Sequence, residues 1–249
     1  MSDATLPPWL AADARARGIG RYIDHTLLKP EATRAQILSL CDEGLRYEVK
    51  AVCVNGAWAG LCAERLAGGA VALAVVAGFP LGAMAPAAKA EEARQAVAAG
   101  ASEIDMVIAL GAAKAGEWDY VGDDIRGVVQ AAGPALVKVI LETAALEPGE
   151  IVSACEAAVT AGAGFVKTST GFHPAGGATT AAVALMRETV GPTMGVKASG
   201  GIRTVDAALG MLAAGANRIG TSATASMTSV LGPGAPTLAA LLKGLALAP

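Results

Sequence analysis

The sequence predicts an α/β protein folded as a single eight-stranded (β/α)8 barrel. The first observation is that short apolar strands alternate with helical segments along 249 residues, which gives eight strand–helix units. The second is that each strand is a nearly continuous apolar run, as expected of parallel strands buried on both faces. The third is that no G-x-G-x-x-G motif follows the first strand, which disfavours a dinucleotide-binding fold. A length of about 250 residues is typical of this TIM-barrel architecture.

The elements follow one another in a regular order. Strands are assigned to residues 22–26, 49–54, 71–77, 103–108, 136–141, 165–168, 194–197 and 218–220. Helices are expected over about 33–44, 57–66, 87–99, 148–160 and 204–213, the first of them capped by Thr33. Three Ala-Gly-Ala sequences, centred on Gly100, Gly162 and Gly215, each end a helix and lead into a strand. No linker interrupts the pattern. We therefore expect one domain over residues 21–249, preceded by an N-terminal extension or short helix over residues 1–20.

The composition argues against several classes of protein. The chain is 53% hydrophobic and 16% charged, but glycines and prolines interrupt its longest uncharged stretches, so no membrane span is expected. Residues 1–20 lack the apolar core of a signal peptide, which favours a cytoplasmic location. A net charge of −3 without a basic run argues against nucleic acid as a partner. Four cysteines without a C-x-x-C pair are expected to be reduced and structural, and two histidines are too few for a multi-histidine zinc site.

Two lysines stand at corresponding strand ends. Lys167 ends the apolar run that begins at Phe165, and thirty positions later Lys197 ends a similar run. A single strand-end lysine is most simply explained by an ion pair with a carboxylate. Two lysines on neighbouring strands repel each other, and repulsion and burial both lower a lysine pKa. A neutral amine adds to a carbonyl and forms an iminium, which accepts electrons during carbon–carbon bond cleavage. The pair therefore predicts one lysine that reacts and one that tunes it.

Asp105 is the acid expected to accompany these lysines. It lies between Ile104 and Met106 in a predicted strand, so its side chain is expected to point into the barrel. A structural salt bridge to one of the lysines would explain it. A proton shuttle would also explain it, and the two roles are compatible.

Glycine-rich turns follow the last two strands, where such barrels often bind phosphate. They are Ser199-Gly200-Gly201 and Gly220-Thr221-Ser222. Backbone N–H groups in these turns are suited to binding an anion. Arg203 would add positive charge, although taken alone it is better explained as a surface residue. His25 and His173 are interpreted as structural polar residues, and Cys53 as a core residue.

The chain resembles the deoxyribose-phosphate aldolases, a family of class I aldolases, from about residue 21 to 230. The resemblance rests on Tyr22–Pro30, Ala51–Asn55, Gly78–Gly82, Glu103–Val107, Lys138–Thr143, Phe165–Phe172, Gly195–Arg203 and Arg218–Ser222. Its two lysine motifs are the most specific part.

The resemblance implies residue roles as well as a reaction. Lys167 would form the Schiff base, Lys197 would perturb its pKa, and Asp105 would be the acid–base partner. The residues implied around the phosphate are Gly171, Gly200, Gly201, Arg203, Gly220 and Ser222. The implied reaction is reversible cleavage of 2-deoxy-D-ribose 5-phosphate into D-glyceraldehyde 3-phosphate and acetaldehyde, in deoxynucleoside breakdown. No metal or organic cofactor is implied. The expected partners are a small phosphorylated sugar and aldehydes, and the expected assembly is a homodimer.

Some positions depart from the family pattern. Phe172 stands where some relatives carry a lysine that serves the phosphate, and Thr224 where a glycine often follows the last turn. The tail Leu245–Pro249 lacks a terminal tyrosine found in some relatives. Two other functions remain open: another Schiff-base aldolase of a phosphorylated sugar, and a non-catalytic barrel that binds a phosphorylated ligand. The non-catalytic barrel would not need both lysines. The histidine count disfavours a metal-dependent aldolase or isomerase.

Overall fold

Eight parallel strands close into a barrel in sequence order, with the first strand paired to the last. This is seen in a computed structural model that describes residues 9–10 and 18–246, and it confirms the predicted fold. The strands are β1 (Ile23–Leu27), β2 (Ala51–Val54), β3 (Ala72–Ala77), β4 (Glu103–Val107), β5 (Leu136–Ile140), β6 (Phe165–Lys167), β7 (Gly195–Ser199) and β8 (Arg218–Thr221).

Helices surround this barrel. They are α1 (Arg34–Arg46), α2 (Ala59–Leu66), α3 (Pro86–Ala98), α4 (Leu110–Lys114), α5 (Trp118–Ala132), α6 (Pro148–Thr160), α7 (Thr180–Val190), α8 (Val205–Ala214) and α9 (Leu238–Ala246). The predicted cap of α1 is confirmed, because the Thr33 hydroxyl accepts a hydrogen bond from the Gln36 amide and the Gln36 side chain returns one to the Thr33 amide. Helix α6 has the predicted bounds, whereas the prediction lacked bounds for α4, α5, α7 and α9.

Two strand boundaries differ from the prediction by two residues: β2 begins at Ala51 where residue 49 was predicted, and β7 ends at Ser199. The prediction ended this strand at Lys197, but pairing with β8 continues through Ala198 to Ser199, which lies opposite Gly220. The backbone therefore stays extended for two residues beyond the lysine. As a result the glycine turn Gly200-Gly201 begins after Ser199, two residues beyond Lys197 and nearer the carboxyl end of the barrel.

The predicted boundary after residue 20 stays a prediction, since residues 1–8 and 11–17 lie outside the described part of the chain. Within that part, the Trp9 indole donates a hydrogen bond to the Leu212 carbonyl at 3.0 Å, and Leu10 is buried. A short 3₁₀ segment, Ile19–Tyr22, leads directly into β1.

The main apolar core lies between the strands and the helices. A separate, smaller apolar cluster is formed mostly by residues of β2 and β3, namely Leu28, Ala51, Cys53, Ala74 and Val76. Small side chains on these two strands leave room for long charged side chains from the opposite strands. All four cysteines are free and buried. No helix within the described ranges is long and apolar enough to cross a bilayer.

Candidate active site

Lys167 and Lys197 lie directly opposite each other on β6 and β7. Their strands are neighbours in the barrel, and each side chain is almost completely buried. The matching height that the sequence predicted is therefore confirmed. The local sequence also explains why both side chains point into the barrel. Each lysine follows a buried valine of the core between strands and helices, and successive side chains along a strand point to opposite faces.

Asp105 connects the two lysines from β4. One carboxylate oxygen, Oδ2, accepts from Lys167 Nζ at 2.8 Å and from Lys197 Nζ at 2.7 Å. The side chain is fully buried and points into the barrel, as predicted from its flanking residues. Lys197 Nζ also contacts Asp24 on β1, so it bridges two carboxylates.

A third lysine, Lys138 on β5, belongs to the same group, and the sequence patterns did not identify it as a site residue. Its Nζ contacts Asp105 Oδ1 at 2.7 Å and Glu103 Oε2 at 2.6 Å, and it lies 3.4 Å from Asp24 Oδ2. The available signal was a lysine between two valines in a strand, the same kind of pattern that identified Asp105.

Arg218 completes the group on β8. Its Nη2 donates to both oxygens of Glu103, at 2.5 and 2.6 Å, and its Nε lies 3.0 Å from Asp24 Oδ1. The guanidinium stands over the Phe165 ring at 5.7 Å, a cation–π arrangement. Arg218 thereby joins Glu103 to Asp24, the carboxylate that also contacts Lys197.

Within the described residues, this interior network contains four basic groups and three acidic ones. They are Lys138, Lys167, Lys197 and Arg218 with Asp24, Glu103 and Asp105, all of them buried. A buried charge is costly unless it is compensated. Three carboxylates compensate three cations, so the arrangement favours a neutral state for one base.

Lys167 is the lysine whose environment favours the neutral form. Burial is the main cause that lowers its pKa; the Asp105 charge opposes this effect and the Lys197 charge reinforces it. For Lys197, burial acts in the same direction but is outweighed by Asp105 and Asp24, so its pKa is raised. For Lys138, the carboxylates of Asp105 and Asp24 likewise outweigh burial and raise the pKa.

The carboxylates of Asp105 and Asp24 stay ionised in this setting. Burial acts to raise the pKa of Asp105, but Lys138, Lys167 and Lys197 together hold it well below its ordinary value. Asp24 has a lowered pKa as well, because Arg218 and the lysines outweigh its burial. Asp105 at rest is therefore a proton acceptor beside Lys167.

A cavity of about 270 Å³ opens above the network at the carboxyl ends of the strands. Lys167 is the only member of the network in its wall, as far as the described residues go. All six residues expected around a phosphate line it, namely Gly171, Gly200, Gly201, Arg203, Gly220 and Ser222. Asp105 and Lys197 lie behind Lys167 and do not line it. The wall also includes Lys29, which sequence reasoning missed; it follows β1 by two residues.

Glycine is required at particular points of this wall. Gly171, Gly200 and Gly201 have φ values of +83°, +86° and +80°, a region that side chains seldom adopt. At Gly220 the reason is space, because a Cβ there would lie 3.0 Å from the Cε of Lys197 and from the Cβ of Ser199. These glycine turns line the cavity, and backbone N–H groups in such turns are suited to binding an anion.

Other strand-end residues have structural contacts. Asn55 Nδ2 donates to the Leu28 carbonyl at 3.2 Å. Phe79 packs edge-on against Phe172, with ring centroids 5.2 Å apart. The oxygens of Glu142 accept hydrogen bonds from Thr170.

The remaining sequence candidates lie elsewhere or outside the described side chains. His25 Nε2 lies 3.0 Å from Glu43, and His173 Nδ1 accepts from the Ala175 amide. Thr224 is fully buried in the 3₁₀ segment Thr224–Val230. The side chains of the tail Leu245–Pro249 lie outside what the structure describes.

Comparison with known proteins places the chain in a family. The model of the DeoC/LacD family aldolases matches residues 20–227. The deoxyribose-phosphate aldolase of Enterococcus faecalis is 55% identical over 212 residues, which cover 85% of this chain and 96% of that protein. The enzyme of the same name from Clostridium novyi is 56% identical over 205 residues, covering 82% and 92%.

Solved structures support the same family assignment. The aldolase QR15 superposes with a TM-score of 0.81 at 38% identity, covering 85% of this chain and 94% of that one. A deoxyribose phosphate aldolase from Aeropyrum pernix, described as a tetramer, gives 0.79 at 33% identity, covering 85% and 90%. The protein is therefore an enzyme, and it belongs to the DeoC/LacD family of aldolases.

Proposed function

We propose that this enzyme reversibly cleaves 2-deoxy-D-ribose 5-phosphate into D-glyceraldehyde 3-phosphate and acetaldehyde through a Schiff base on Lys167. The observation that carries the proposal is the position of Lys167. It has a lowered pKa, it touches Asp105, and it alone among the described network residues lines the cavity. The names of the E. faecalis and C. novyi relatives support the choice of substrate.

The first chemical step joins the lysine to the sugar. The neutral Lys167 amine adds to the aldehyde carbon, C1, and loss of water from the resulting carbinolamine gives an iminium. Asp105 lies 2.8 Å from Lys167 Nζ; it takes the proton released when the amine adds and passes it to the former carbonyl oxygen. Lys197 contacts the same carboxylate oxygen and supplies the second proton, with which that oxygen leaves as water; Lys197 then regains a proton from solvent.

The second step breaks the carbon–carbon bond. The C3 hydroxyl gives its proton to water, the C2–C3 electron pair moves into the iminium, and C3 becomes the aldehyde carbon of D-glyceraldehyde 3-phosphate. The enamine left on Lys167 takes a proton from water at C2, and water then hydrolyses the iminium to release acetaldehyde and the free amine. All atoms are accounted for with water as the only other reactant.

The phosphate would lie against the glycine turns. In this proposal the N–H groups of Gly171, Gly200, Gly201 and Gly220 and the Ser222 hydroxyl bind its oxygens. Arg203 is exposed at the cavity wall and adds positive charge. We further propose that the enzyme is cytoplasmic and takes part in deoxynucleoside breakdown. We also propose that it is a homodimer, and light scattering on the purified protein would test this oligomeric state.

Borohydride trapping tests the chemistry. Wild-type protein and Lys167→Ala are each treated with deoxyribose 5-phosphate or acetaldehyde, reduced, digested and mapped by mass spectrometry. We expect an adduct on the Lys167 peptide of the wild type and none in the variant. An adduct on Lys197 would reverse the roles of the two lysines. No adduct in folded wild-type protein would refute the Schiff-base mechanism and favour a barrel that only binds a phosphorylated ligand.

A further inference from the structure

Glu142 is a buried acid in an unusual backbone conformation, outside the charged network. It follows β5 and is only 2% exposed. Its φ and ψ angles are 59° and 55°, the left-handed region that residues other than glycine and asparagine rarely adopt. Such conformations persist where the surrounding contacts hold them, and they are frequent at functional sites.

The contacts of Glu142 lead to the loop that follows β6. Its Oε2 accepts from the Thr170 hydroxyl at 2.6 Å, and its two oxygens accept from the Thr170 amide at 3.2 and 3.3 Å. The Thr170 hydroxyl in turn accepts from the Phe172 amide at 3.0 Å. A backbone bond from Thr143 to Thr168 runs beside them. One buried side chain thereby holds the loop on both sides of Gly171.

Gly171 is packed too closely for this loop to shift alone. A Cβ on Gly200 would lie 3.4 Å from the Gly171 Cα, so the backbones after β6 and β7 are nearly in contact. Both glycines line the cavity, with Phe172 beside them. Movement of Thr170 would therefore change the spacing between the two turns that face the cavity.

We propose that Glu142 is a positioning residue that fixes the Gly171 turn for the phosphate group of the substrate. It does not line the cavity, and it acts through Thr170. This inference rests on the proposed function, because it assumes that the phosphate lies against the Gly171 and Gly200 turns. It adds a residue on which selectivity for phosphorylated over unphosphorylated sugars depends.

The test compares 2-deoxyribose 5-phosphate with 2-deoxyribose as substrates. Glu142→Ala removes the acceptor, and we expect KM for the phosphorylated sugar to rise about tenfold, the effect of losing one or two hydrogen bonds. The kcat values and KM for 2-deoxyribose should stay within about twofold, as should acetaldehyde trapping on Lys167. Glu142→Gln retains an acceptor oxygen and should restore most of the selectivity.

Glu48→Ala is the matched control. Glu48 also has a positive φ, 51°, but it is exposed and precedes β2 at the other end of the barrel. This variant should leave both KM values unchanged. If Glu142→Ala does not fold, Thr170→Val takes its place, since it removes the hydroxyl that joins Glu142 to the Phe172 amide.

The outcomes separate this inference from the function on which it rests. A wild type that forms no Lys167 adduct overturns both. A wild type that forms the adduct, with variants whose ratio of the two KM values is unchanged, overturns the role of Glu142 alone. Equal losses of kcat on both sugars also overturn it, because they would show a general effect on the site and not on phosphate positioning.

Discussion

Replacing Lys197 with methionine tests whether its positive charge favours the neutral form of Lys167. Both nitrogens contact Asp105 Oδ2, at 2.8 and 2.7 Å, so they lie within about 5.5 Å of each other. At an effective dielectric constant of about 20, two unit charges at that separation repel by about 3 kcal/mol. Since about 1.4 kcal/mol is a factor of ten in an equilibrium, the variant should hold about a hundredfold less neutral Lys167 at neutral pH.

The assay is the rate of borohydride trapping with acetaldehyde, measured from about pH 6 to pH 10 around the range in which lysine amines titrate. Removing the Lys197 charge raises the pKa of Lys167, so the trapping rate should fall at neutral pH and recover as the pH rises. Lys114→Met serves as the control, because Lys114 is exposed and pairs with Glu150 at 2.7 Å, away from the cavity. An equal loss at every pH would refute the electrostatic explanation and assign Lys197 to proton transfer. An unchanged profile would refute the repulsion itself.

Three further predictions concern Asp105, a buried ion pair between helices α3 and α5, and Gly220 in the cavity wall. Asp105→Asn should lower kcat at least about a hundredfold, the usual contribution of a general acid–base group, while mass mapping still finds a trapped adduct on Lys167. Lys89→Met should lower the free energy of unfolding, measured in urea, by about 3 kcal/mol or more, because it leaves Asp124 buried without the lysine nitrogen that lies 2.6 Å away. Adding Asp124→Asn should restore part of this loss, and strictly additive effects of the two substitutions would contradict the pairing. Gly220→Ala should reduce kcat with little change in the unfolding midpoint, since the new Cβ would contact the end of the Lys197 side chain. A kcat equal to that of the wild type would contradict this, because it would show that the site accommodates the methyl group.

The fold could be predicted because its signals are local. Apolar runs mark the strands, and the Ala-Gly-Ala sequences mark where helices end. The pairing of Lys167 with Lys197 could also be predicted, since each ends a similar run on consecutive strands. The cavity wall followed from the glycine turns after the last two strands.

The interior network could not be assembled in the same way. Lys138 on β5 and Asp24 on β1 lie on opposite parts of the barrel, and their 3.4 Å separation depends on the closed geometry. Their depth in the barrel is set by the register between strands, which a sequence does not display. For the same reason the sequence predicted that repulsion and burial both lower the Lys167 pKa but could not rank them; in the structure burial is the larger cause.

The unequal number of bases and acids inside the barrel affects each stage of the proposed reaction differently. With Lys167 as a free amine, three cations face three carboxylates and the interior is balanced. Formation of the iminium adds one positive charge that no buried carboxylate compensates, which makes the carbon beside it a stronger electron acceptor. Bond cleavage then gives a neutral enamine and restores the balance. The buried charges of the protein thus make the step that consumes the iminium electrostatically favourable once Asp105 and Lys197 have returned to their charged forms.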